Sequence, residues 1–399
     1  MQANAIRSLE GTDSGVVVQS RATKPRRRRL CVIIPTHWSA LMGGAQYQAK
    51  VLIDRLLQDG DYAIDYLARR VDEHHRPAGY RIIRIGDTQG LHRHSMLFDA
   101  RKLLRILHAI RPDVIYQQVG CVYTGVAAHY AKHAHCNLVW QIASDIDVTP
   151  WHGRRRLDMP LRYLEKRILE YGIRYSTHIV AQTEQQRALL LHHYGREPDA
   201  LVRNFHPLPT EPLAKTAPVK ILWVANIKKV KQPEIFIRLA RELGGTGAQF
   251  VMIGAPAETR EWQASLETQM ALAPQLSYLG AQPQEEVNRL LAEAHLLVNT
   301  SEYEGFSNTF IQAWMRQVPV VSLNVNPDGV FDGERMGLCA HGDYPTLRDG
   351  IARLIAEPQR LRAIARRAQT QAIADYSERN MQPLLRLIAA GGTRRALPR

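Results

Sequence analysis

The chain has 399 residues, of which 45% are apolar, and its formal net charge at pH 7 is +14. This length predicts two or three domains with ample core, and the composition is typical of a soluble globular protein. It excludes a membrane-spanning helix, because no apolar run approaches the roughly 18 residues that a bilayer requires. The four cysteines are scattered, which indicates reduced thiols in the cytosol rather than a disulfide framework or a cysteine-based metal site.

The positive charge is concentrated in the first half of the chain. Residues 1–210 contain 30 Lys and Arg against 19 Asp and Glu, a net charge of +11, whereas residues 211–399 contain 22 against 19. A basic first half favours an anionic partner, which would be a membrane surface, a nucleic acid or a phosphorylated substrate. A soluble surface that is merely basic remains an alternative.

The first half of the chain predicts one α/β domain that follows a short tail. Residues 1–28 are mostly polar and without periodicity, which predicts a disordered tail. The run "RLCVIIP" then reads as a strand that is buried on both faces. Short strands alternate with helical stretches, notably 97–110 and 160–172, up to residue 205. This alternation predicts a Rossmann-like domain over 29–205, with a mostly parallel, doubly wound sheet.

The second half repeats the pattern after a linker. Residues 206–218 contain four prolines and no periodicity, which is typical of a linker. The alternation restarts over 219–376, with Pro233 near the first turn of a helix. The final segment, 377–390, follows two helices with no strand between them, so we expect it to cross back onto the first domain. The sequence therefore predicts an α/β fold in which two Rossmann-like, doubly wound domains face a cleft.

Ligands of such sheets bind at the carboxyl ends of strands and at helix N-termini, so each half is expected to contribute a loop. Gly43 and Gly44 open a helix directly after the first strand, and their amides suit a phosphate, although plain turn glycines fit as well. In the second half, "VANIKKVKQPE" places Lys228, Lys229 and Lys231 between a strand and a helix. Such cations hold a diphosphate and stabilise it as a leaving group, while a solvated loop is the alternative.

The stretch "SEYEGFSNTFIQAWMRQVPVV" reads as a strand end, a turn, a helix and a strand. Ser307 or Asn308 is expected to cap the helix. The amides from Gly305 through Phe306 to Ser307 can bind phosphate oxygens. Glu304, just before them, suits sugar hydroxyls, which need acceptors. Glutamates at this turn could instead interact with the helix dipole on a solvated face.

This stretch resembles the donor-site motif of the large family-4 retaining glycosyltransferases, which have the GT-B fold. The resemblance covers most of residues 30–375, in the family's order, through "GGAQYQ", "VAQTEQQRALLLHHYG", "LVRNFHP", "VANIKKVKQPE", "MIG", "LSYLG" and "NPDG". The residues of several of these motifs are most similar to those of bacterial members that build capsular or exopolysaccharides. The resemblance implies transfer of a hexose-type sugar, with retention of configuration, from a UDP- or GDP-sugar to a glycan or a polyprenyl-diphosphate-linked acceptor.

By position, the resemblance assigns Glu304 to the transferred sugar. Gln312 stands where the family has a second glutamate on the ribose hydroxyls, and we expect it at an exposed cleft position. It keeps the length and one acceptor oxygen of a glutamate but loses the charge. The family's Arg–Lys pair on the diphosphate falls on Asn226 and Lys231, so Lys228 would supply the missing cation. These two departures concern the efficiency of the activity more than the fold.

The first half is expected to bind the acceptor. Asp145 and Asp147 in "IASDIDV" stand where many relatives have a histidine. Both are expected to touch the sugar or the acceptor, Asp145 as a catalytic residue, with a structural role in the loop as the alternative. Asp-x-Asp spacing occurs only in this half, so we expect no metal and no other cofactor at the donor site. The basic run before an amphipathic helix suits an anionic membrane surface and predicts a cytoplasmic protein on the inner face of the plasma membrane, with an ordinary domain helix that has a charged outer face as the alternative. That run is Arg154, Arg155 and Arg156.

Three other classes stay open at this point. A nucleotide-sugar epimerase of similar two-domain shape would need acid–base residues at the sugar and no acceptor site. A catalytically silent nucleotide-sugar binder would be consistent with Asn226 and Gln312. A nucleic-acid binder fits the net charge, but no basic motif with interleaved aromatic residues supports it.

Overall fold

Two separate parallel sheets form the framework of the protein. The computed structural model describes residues 27–86, 94–150 and 159–390. Within these residues the strands pair in parallel, seven in the first sheet and six in the second. The predicted fold of two Rossmann-like α/β domains is confirmed. None of the helices in these ranges is both long and apolar enough to cross a bilayer.

The first domain starts with a strand at Arg28, which the prediction had included in the tail over 1–28. Residues 1–26 of that tail lie outside the described residues. The strands follow the order β3-β2-β1-β4-β5-β6-β7, so the chain switches direction across the sheet between β1 and β4. In chain order the elements are β1 (Arg28–Ile33), α1 (Gly44–Asp59), β2 (Tyr62–Ala68), β3 (Arg81–Arg84), α2 (Ser95–Ile110), β4 (Val114–Gln118), α3 (Val122–Ala134), β5 (Asn137–Gln141), α4 (Met159–Tyr175), β6 (His178–Ala181), α5 (Glu184–Tyr194) and β7 (Ala200–Leu201).

Strand β1 explains why this sheet is buried on both faces. Leu30 and Val32 pack in one apolar cluster with residues of α1, whereas Cys31 and Ile33 pack in another with residues of α2 and α3. Successive side chains of a strand point to opposite faces, so an unbroken apolar run serves two helical layers.

The second domain follows the same plan, with the strand order β10-β9-β8-β11-β12-β13 and its switch between β8 and β11. Helix α6 begins at Pro233, as expected of a proline in a first turn. In chain order the elements are β8 (Lys220–Val224), α6 (Pro233–Leu243), β9 (Gln249–Ile253), α7 (Arg260–Met270), β10 (Leu276–Tyr278), α8 (Gln284–Glu293), β11 (Leu296–Asn299), α9 (Asn308–Met315), β12 (Val320–Ser322), β13 (Gly337–Cys339), α10 (Tyr344–Ala356), α11 (Pro358–Tyr376) and α12 (Gln382–Ala389).

The last helix, α12, lies against the first domain. Leu384 and Ile388 belong to the apolar cluster of the first sheet. Asn137, at the start of β5, donates from Nδ2 to the carbonyl oxygens of Leu387 and Ala390 over 2.9 and 3.0 Å. The chain therefore crosses from one domain to the other twice, at the linker and again before α12. Both crossings connect the two domains covalently.

Candidate active site

The two sheets face each other across a cleft of about 690 Å³. Its walls are loops that follow β1, β4 and β5 in the first domain and β8, β9 and β11 in the second, together with the start of α9. This carboxyl edge is where parallel α/β sheets bind ligands. The predicted residues that line it are Gly43, Gly44, Asp147, Asn226, Lys228, Lys231, Glu304, Gly305, Phe306, Ser307, Asn308 and Gln312.

Glu304 and Lys231 form an ion pair on the wall of the second domain. The Nζ of Lys231 donates to Oε2 of Glu304 over 2.7 Å, and Nδ2 of Asn299 donates to Oε1 over 2.6 Å. The side chain of Lys231 is 21% exposed and that of Glu304 is 16% exposed, so both are largely withdrawn from bulk water although they line the cleft. The arrangement presents an oriented carboxylate beside a cation.

The end of β11 holds Lys231 in place. Thr300 donates from Oγ1 to the carbonyl oxygen of Lys231 over 2.6 Å, and the indole N–H of Trp223 donates to Oγ1 of Thr300 over 2.9 Å. Lys231 ends a short 3-10 turn that leads into α6. Lys228, just before this turn, is exposed on the same wall of the cleft. Two of the three predicted lysines therefore reach the cleft.

Asn226 has a structural contact in addition to its place in the cleft wall. Its Oδ1 accepts from the backbone N–H of Ala255 over 3.4 Å, which links the loops that follow β8 and β9. Gly254 lies in this junction, where an added Cβ would approach the carbonyl oxygen of Ala225 to 1.7 Å. Glycine is therefore required for the two loops to come so close. Asn226, which stands at the family's arginine position, is therefore a neutral residue that links these two loops.

The start of α9 contacts the first domain through Asn308. Its Oδ1 accepts from Nε2 of Gln48 over 2.8 Å and lies 3.0 Å from Nε2 of His206, while its Nδ2 donates to the carbonyl oxygen of Gly44 over 3.0 Å. Ser307 holds the N-cap position, but its side chain makes no capping hydrogen bond. The N-terminal amides of α9 therefore lack a side-chain cap and suit an anion.

His206 and Tyr47 extend this contact between the domains. Their rings stack with centroids 4.6 Å apart and an interplanar angle of 24°. Burial lowers the pKa of His206 to about 3, so the imidazole is neutral and its Nε2–H donates to Asn308. Burial also raises the pKa of the Tyr47 phenol, and the neighbouring amide of Gln312 opposes that rise. The first domain thus reaches the side chain predicted to hold the ribose.

Gln312 is buried, with 6% of its surface exposed, so the exposed position expected for it is wrong. Its backbone carbonyl oxygen accepts from Nη1 of Arg316 over 3.1 Å, and Nη2 of Arg316 donates to Oε2 of Glu211 in the linker over 2.9 Å. Six of the eight residues of helix α9 are buried, because it packs against α8, α11 and β12 of its own domain and also contacts the linker and Tyr47. The position predicted to hold the ribose therefore lies in the middle of a helix whose two ends touch other parts of the chain.

The two acids of "IASDIDV" are placed differently. Asp147 is buried and lines the cleft, and its Oδ2 accepts from the backbone N–H groups of Ala143 and Ser144 over 2.9 and 3.2 Å. Asp145 does not line the cleft, contrary to expectation; burial raises the pKa of its carboxyl, and the neighbouring Gln186 opposes the rise. Both acids lie in one 3-10 turn, in which residues two positions apart point in different directions.

The cleft residues that the sequence analysis missed include Tyr47, Gln118, Asn204 and Asn299. Asn299 follows the apolar run "HLLV" directly, and a polar residue at a strand's carboxyl end is a signal that could have been used. Tyr47 recurs at the helical spacing of buried residues, so the sequence does not indicate that it lines the cleft. Asn204 donates from Nδ2 to the carbonyl oxygen of Phe306 over 2.9 Å, a contact between distant loops that no local pattern indicates.

Three large apolar side chains are exposed on the first domain. Phe98 in α2 is 74% exposed, and Tyr163 and Leu164 in α4 are 60% and 45% exposed. Nδ1 of His94, just before α2, lies 3.1 Å from Oε1 of Glu165 in α4, which links the two helices. The arginines predicted to face a membrane lie outside the described residues, immediately before α4. They are Arg154, Arg155 and Arg156.

Comparison with known proteins identifies the family. The family model described as "Glycosyltransferase Family 4" matches residues 42–205, and the model described as "Glycosyl transferases group 1" matches residues 218–357. The two matches cover both domains and the loops of the cleft. The chain belongs to the GT-B glycosyltransferases.

Among curated proteins, the D-inositol 3-phosphate glycosyltransferase of Rhodococcus opacus is 24% identical over 224 residues, which is 49% of this chain and 49% of that protein. The enzyme of the same name from Nocardia farcinica is 25% identical over 171 residues, 40% of this chain and 38% of that protein. The chain thus spans about half the length, or less, of the curated relatives that it matches.

Solved structures resemble the chain over nearly its whole length. Sucrose-phosphate synthase from Thermosynechococcus elongatus has a TM-score of 0.71 at 16% identity, covering 90% of this chain and 98% of that one. Anabaena HepE, solved in complex with UDP-glucose, has a TM-score of 0.68 at 18% identity, covering 91% and 100%. WaaG, a glycosyltransferase involved in lipopolysaccharide biosynthesis, has a TM-score of 0.70 at 14% identity, covering 91% and 100%. These similarities show the GT-B fold.

Proposed function

We propose that the protein is a retaining hexosyltransferase that uses a UDP- or GDP-sugar as donor. The observation that carries this proposal is the ion pair of Glu304 and Lys231 in the cleft, next to the uncapped start of α9. A nucleotide-sugar has the complementary pattern, because its sugar hydroxyls need an acceptor and its diphosphate needs a cation and backbone amides. The complex of HepE with UDP-glucose supports such a donor.

In this proposal the protein supplies position and charge rather than a covalent nucleophile. The acceptor hydroxyl attacks the anomeric carbon on the face that the diphosphate leaves. A new C–O bond forms, the bond to the diphosphate breaks, and a departing phosphate oxygen takes the hydroxyl proton. Lys231 and Lys228 stabilise the charge on the leaving group, while Glu304 orients the sugar. The scheme needs no metal, so EDTA is expected to leave the rate unchanged.

Incubation with radiolabelled UDP- and GDP-sugars, with and without a membrane extract, tests the activity. Label transfer that depends on the extract supports the transferase, and Glu304→Gln is expected to abolish most of it. Interconversion of the sugars without an acceptor would mean an epimerase. Binding without turnover would mean a silent binder, which the neutral side chains of Asn226 and Gln312 would accommodate.

The acceptor in our proposal is a glycan or a polyprenyl-diphosphate-linked glycan at the inner face of the plasma membrane, for bacterial surface polysaccharide synthesis. The first domain exposes the apolar side chains of Phe98, Tyr163 and Leu164, and the first half of the chain is rich in Lys and Arg. Both features support contact with an anionic bilayer. The part of WaaG in lipopolysaccharide biosynthesis supports the acceptor class.

Vesicle sedimentation tests this contact with the membrane. Binding to phosphatidylglycerol vesicles is expected to exceed binding to phosphatidylcholine vesicles and to fall in Phe98→Ser. The matched control is Leu272→Ser, an exposed apolar residue of the second domain at 61% exposure. Equal loss in both variants, or equal binding to both lipids, would contradict the proposed surface.

A further inference from the structure

The turn after β4 has an unusual backbone and lines the cleft on the side of the first domain. Gln118 ends β4, and Val119 follows with φ of 76°. A β-branched residue rarely adopts this left-handed conformation, since its side chain crowds the backbone. Both residues line the cleft. Such conformations persist only where the surroundings enforce them, and they cluster at functional sites.

Polar contacts hold the turn from two sides. Nε2 of Gln117 donates to the carbonyl oxygens of Val119 and Gln118 over 2.7 and 2.9 Å, and Oγ1 of Thr124 donates to Oε1 of Gln117 over 2.8 Å. On the other side, a Cβ at Gly120 would come within 2.7 Å of Cβ of Asp147, whose carboxylate accepts from the Gly120 amide. The turn is therefore a rigid support for the side chain of Gln118.

Gln118 has one satisfied and one unsatisfied polar atom. Its side chain is fully buried, and its Oε1 lies 3.2 Å from the hydroxyl of Tyr116, whose single proton it shares with the closer Oε1 of Gln141. Its Nε2 has no hydrogen-bond partner within the described ranges 27–86, 94–150 and 159–390. A buried amide donor without a partner is unfavourable and needs an explanation. A ligand oxygen in the cleft would supply one, because Gln118 lines it.

We infer that Gln118 is an acceptor-binding residue, whose Nε2 donates to an uncharged oxygen of the acceptor sugar. The inference rests on the proposed transferase function. Gln118 belongs to the first domain, opposite the wall with Lys231 and Glu304, which suits the acceptor rather than the donor. The group is a neutral amide, and the charged side chain that contacts its turn is the acid Asp147. A hydroxyl or ether oxygen fits this site better than a phosphate does.

The chain offers a matched control for this assignment in Gln141. Gln141 is also fully buried, its Oε1 also accepts from the Tyr116 hydroxyl, over 2.7 Å, and its Nε2 also lacks a partner in the part of the chain that is described. It differs in that it does not line the cleft. Gln118→Met and Gln141→Met therefore make the same change in chemistry at a similar cost in packing, and only the first removes a donor from the cleft.

The transfer assay with radiolabelled donor and membrane extract measures the outcome. Q118M is expected to raise the apparent KM for the extract by about three- to tenfold, the loss of one neutral hydrogen bond, with an unchanged dissociation constant for UDP. Q141M is expected to leave both values near those of the wild type. An unchanged acceptor KM in Q118M, or an equal rise in both variants, would overturn the assignment. If Q118M does not fold, Gln118→Asn, which withdraws the amide by one methylene, takes its place under the same criteria.

A second measurement separates this inference from the proposed function. If the wild type transfers no label, the proposed function fails, and calorimetric titration with octyl β-D-glucopyranoside in the presence of UDP tests the Gln118 site alone. Weaker binding by Q118M than by Q141M would support the site. Equal binding by both variants, or no binding by the wild type, would overturn it.

Discussion

The ammonium group of Lys231 donates to the carboxylate of Glu304 over 2.7 Å, so the cation and the anion assigned to opposite parts of the donor neutralise each other. Both groups are largely buried, and removing one partner of such a pair leaves a charge that is poorly solvated. A diphosphate would compete with Glu304 for the same ammonium group. Folding stability and donor binding therefore depend on one contact.

Lys231→Ala is expected to raise the dissociation constant for UDP or GDP about tenfold to a hundredfold, because one charge-assisted contact is worth about 1.5–3 kcal/mol. Turnover is expected to fall as well, because the leaving group loses a cation. The matched control is Lys229→Ala, which removes an exposed lysine of the same loop that does not line the cleft. Titration calorimetry checks the affinities, and equal values for the two variants would rule out the role of Lys231.

The same variant is expected to lower the free energy of unfolding by about 1–3 kcal/mol, since Glu304 is left without its counter-ion. The double variant Lys231→Ala, Glu304→Gln removes both charges and is expected to recover most of that stability but none of the donor affinity. Urea unfolding of the three proteins measures the difference. If the double variant is no more stable than Lys231→Ala, the pair does not contribute to folding.

Gln312→Glu is expected to strengthen binding of nucleoside diphosphates by up to roughly tenfold, about 1.4 kcal/mol, because it restores a charged acceptor for the ribose. Since Gln312 is buried, a loss of folding stability is expected alongside, limited by the nearby hydroxyl of Tyr47 and the guanidinium of Arg316. Titration with UDP and GDP checks the affinity. Gln317→Glu, just beyond the end of α9, is the control for an added charge.

Two other results of that titration have defined meanings. Weaker binding by Gln312→Glu would mean that the cleft needs an amide donor at this position. Equal affinities for Gln312→Glu and the wild type would mean that the position does not meet the nucleotide.

Asn308→Ala is expected to lower the free energy of unfolding by about 2–3 kcal/mol, because the buried partners Gln48 and His206 lose hydrogen bonds. Thr309→Ala, the next residue of α9 and also in the cleft wall, is the control. Proteolysis in the linker is expected to be faster in the first variant, as the contact between the domains weakens. Equal stability of the two variants would show that Asn308 does not hold the domains together.

Acid is expected to destabilise the protein through His206 and His37, whose pKa values burial lowers from 6.5 to about 3. Between these values the unfolded chain binds a proton at each histidine and the folded chain does not. The free energy of unfolding therefore falls as the pH falls from 6.5 towards 3, by about 1.4 kcal/mol per pH unit for each group.

Urea unfolding at a series of pH values measures this slope. His206→Gln keeps an N–H donor for Asn308 but does not titrate. The free energy of unfolding of this variant is therefore expected to fall less steeply with acid, by the contribution of one proton. His74→Gln, at an exposed position, is the control for the same substitution on the surface. A slope that is the same in all three proteins would contradict a neutral, buried His206.

The sequence by itself determined the elements and the edge of the sheets at which the candidate site lies. The run "YAIDYLA" is strand β2, and Pro233 opens α6, because period, turn residues and helix starts are local properties. Parallel strands joined by helices then bring the loops after β8 and β11 to one edge. Lys231 and Glu304 could therefore be assigned to one cleft although 73 residues separate them.

Only the tertiary structure decided what each side chain in the cleft contacts. Asn308 meets Gln48 across 260 residues of sequence, and Gln312 is buried beside Tyr47 rather than exposed. Asp147, not Asp145, reaches the cleft wall. Local patterns specify which face of a helix or strand is apolar, but they do not contain the relative placement of two domains. Polar contacts across a domain boundary depend on that placement, since a hydrogen bond forms only within about 3.2 Å and a narrow range of angles.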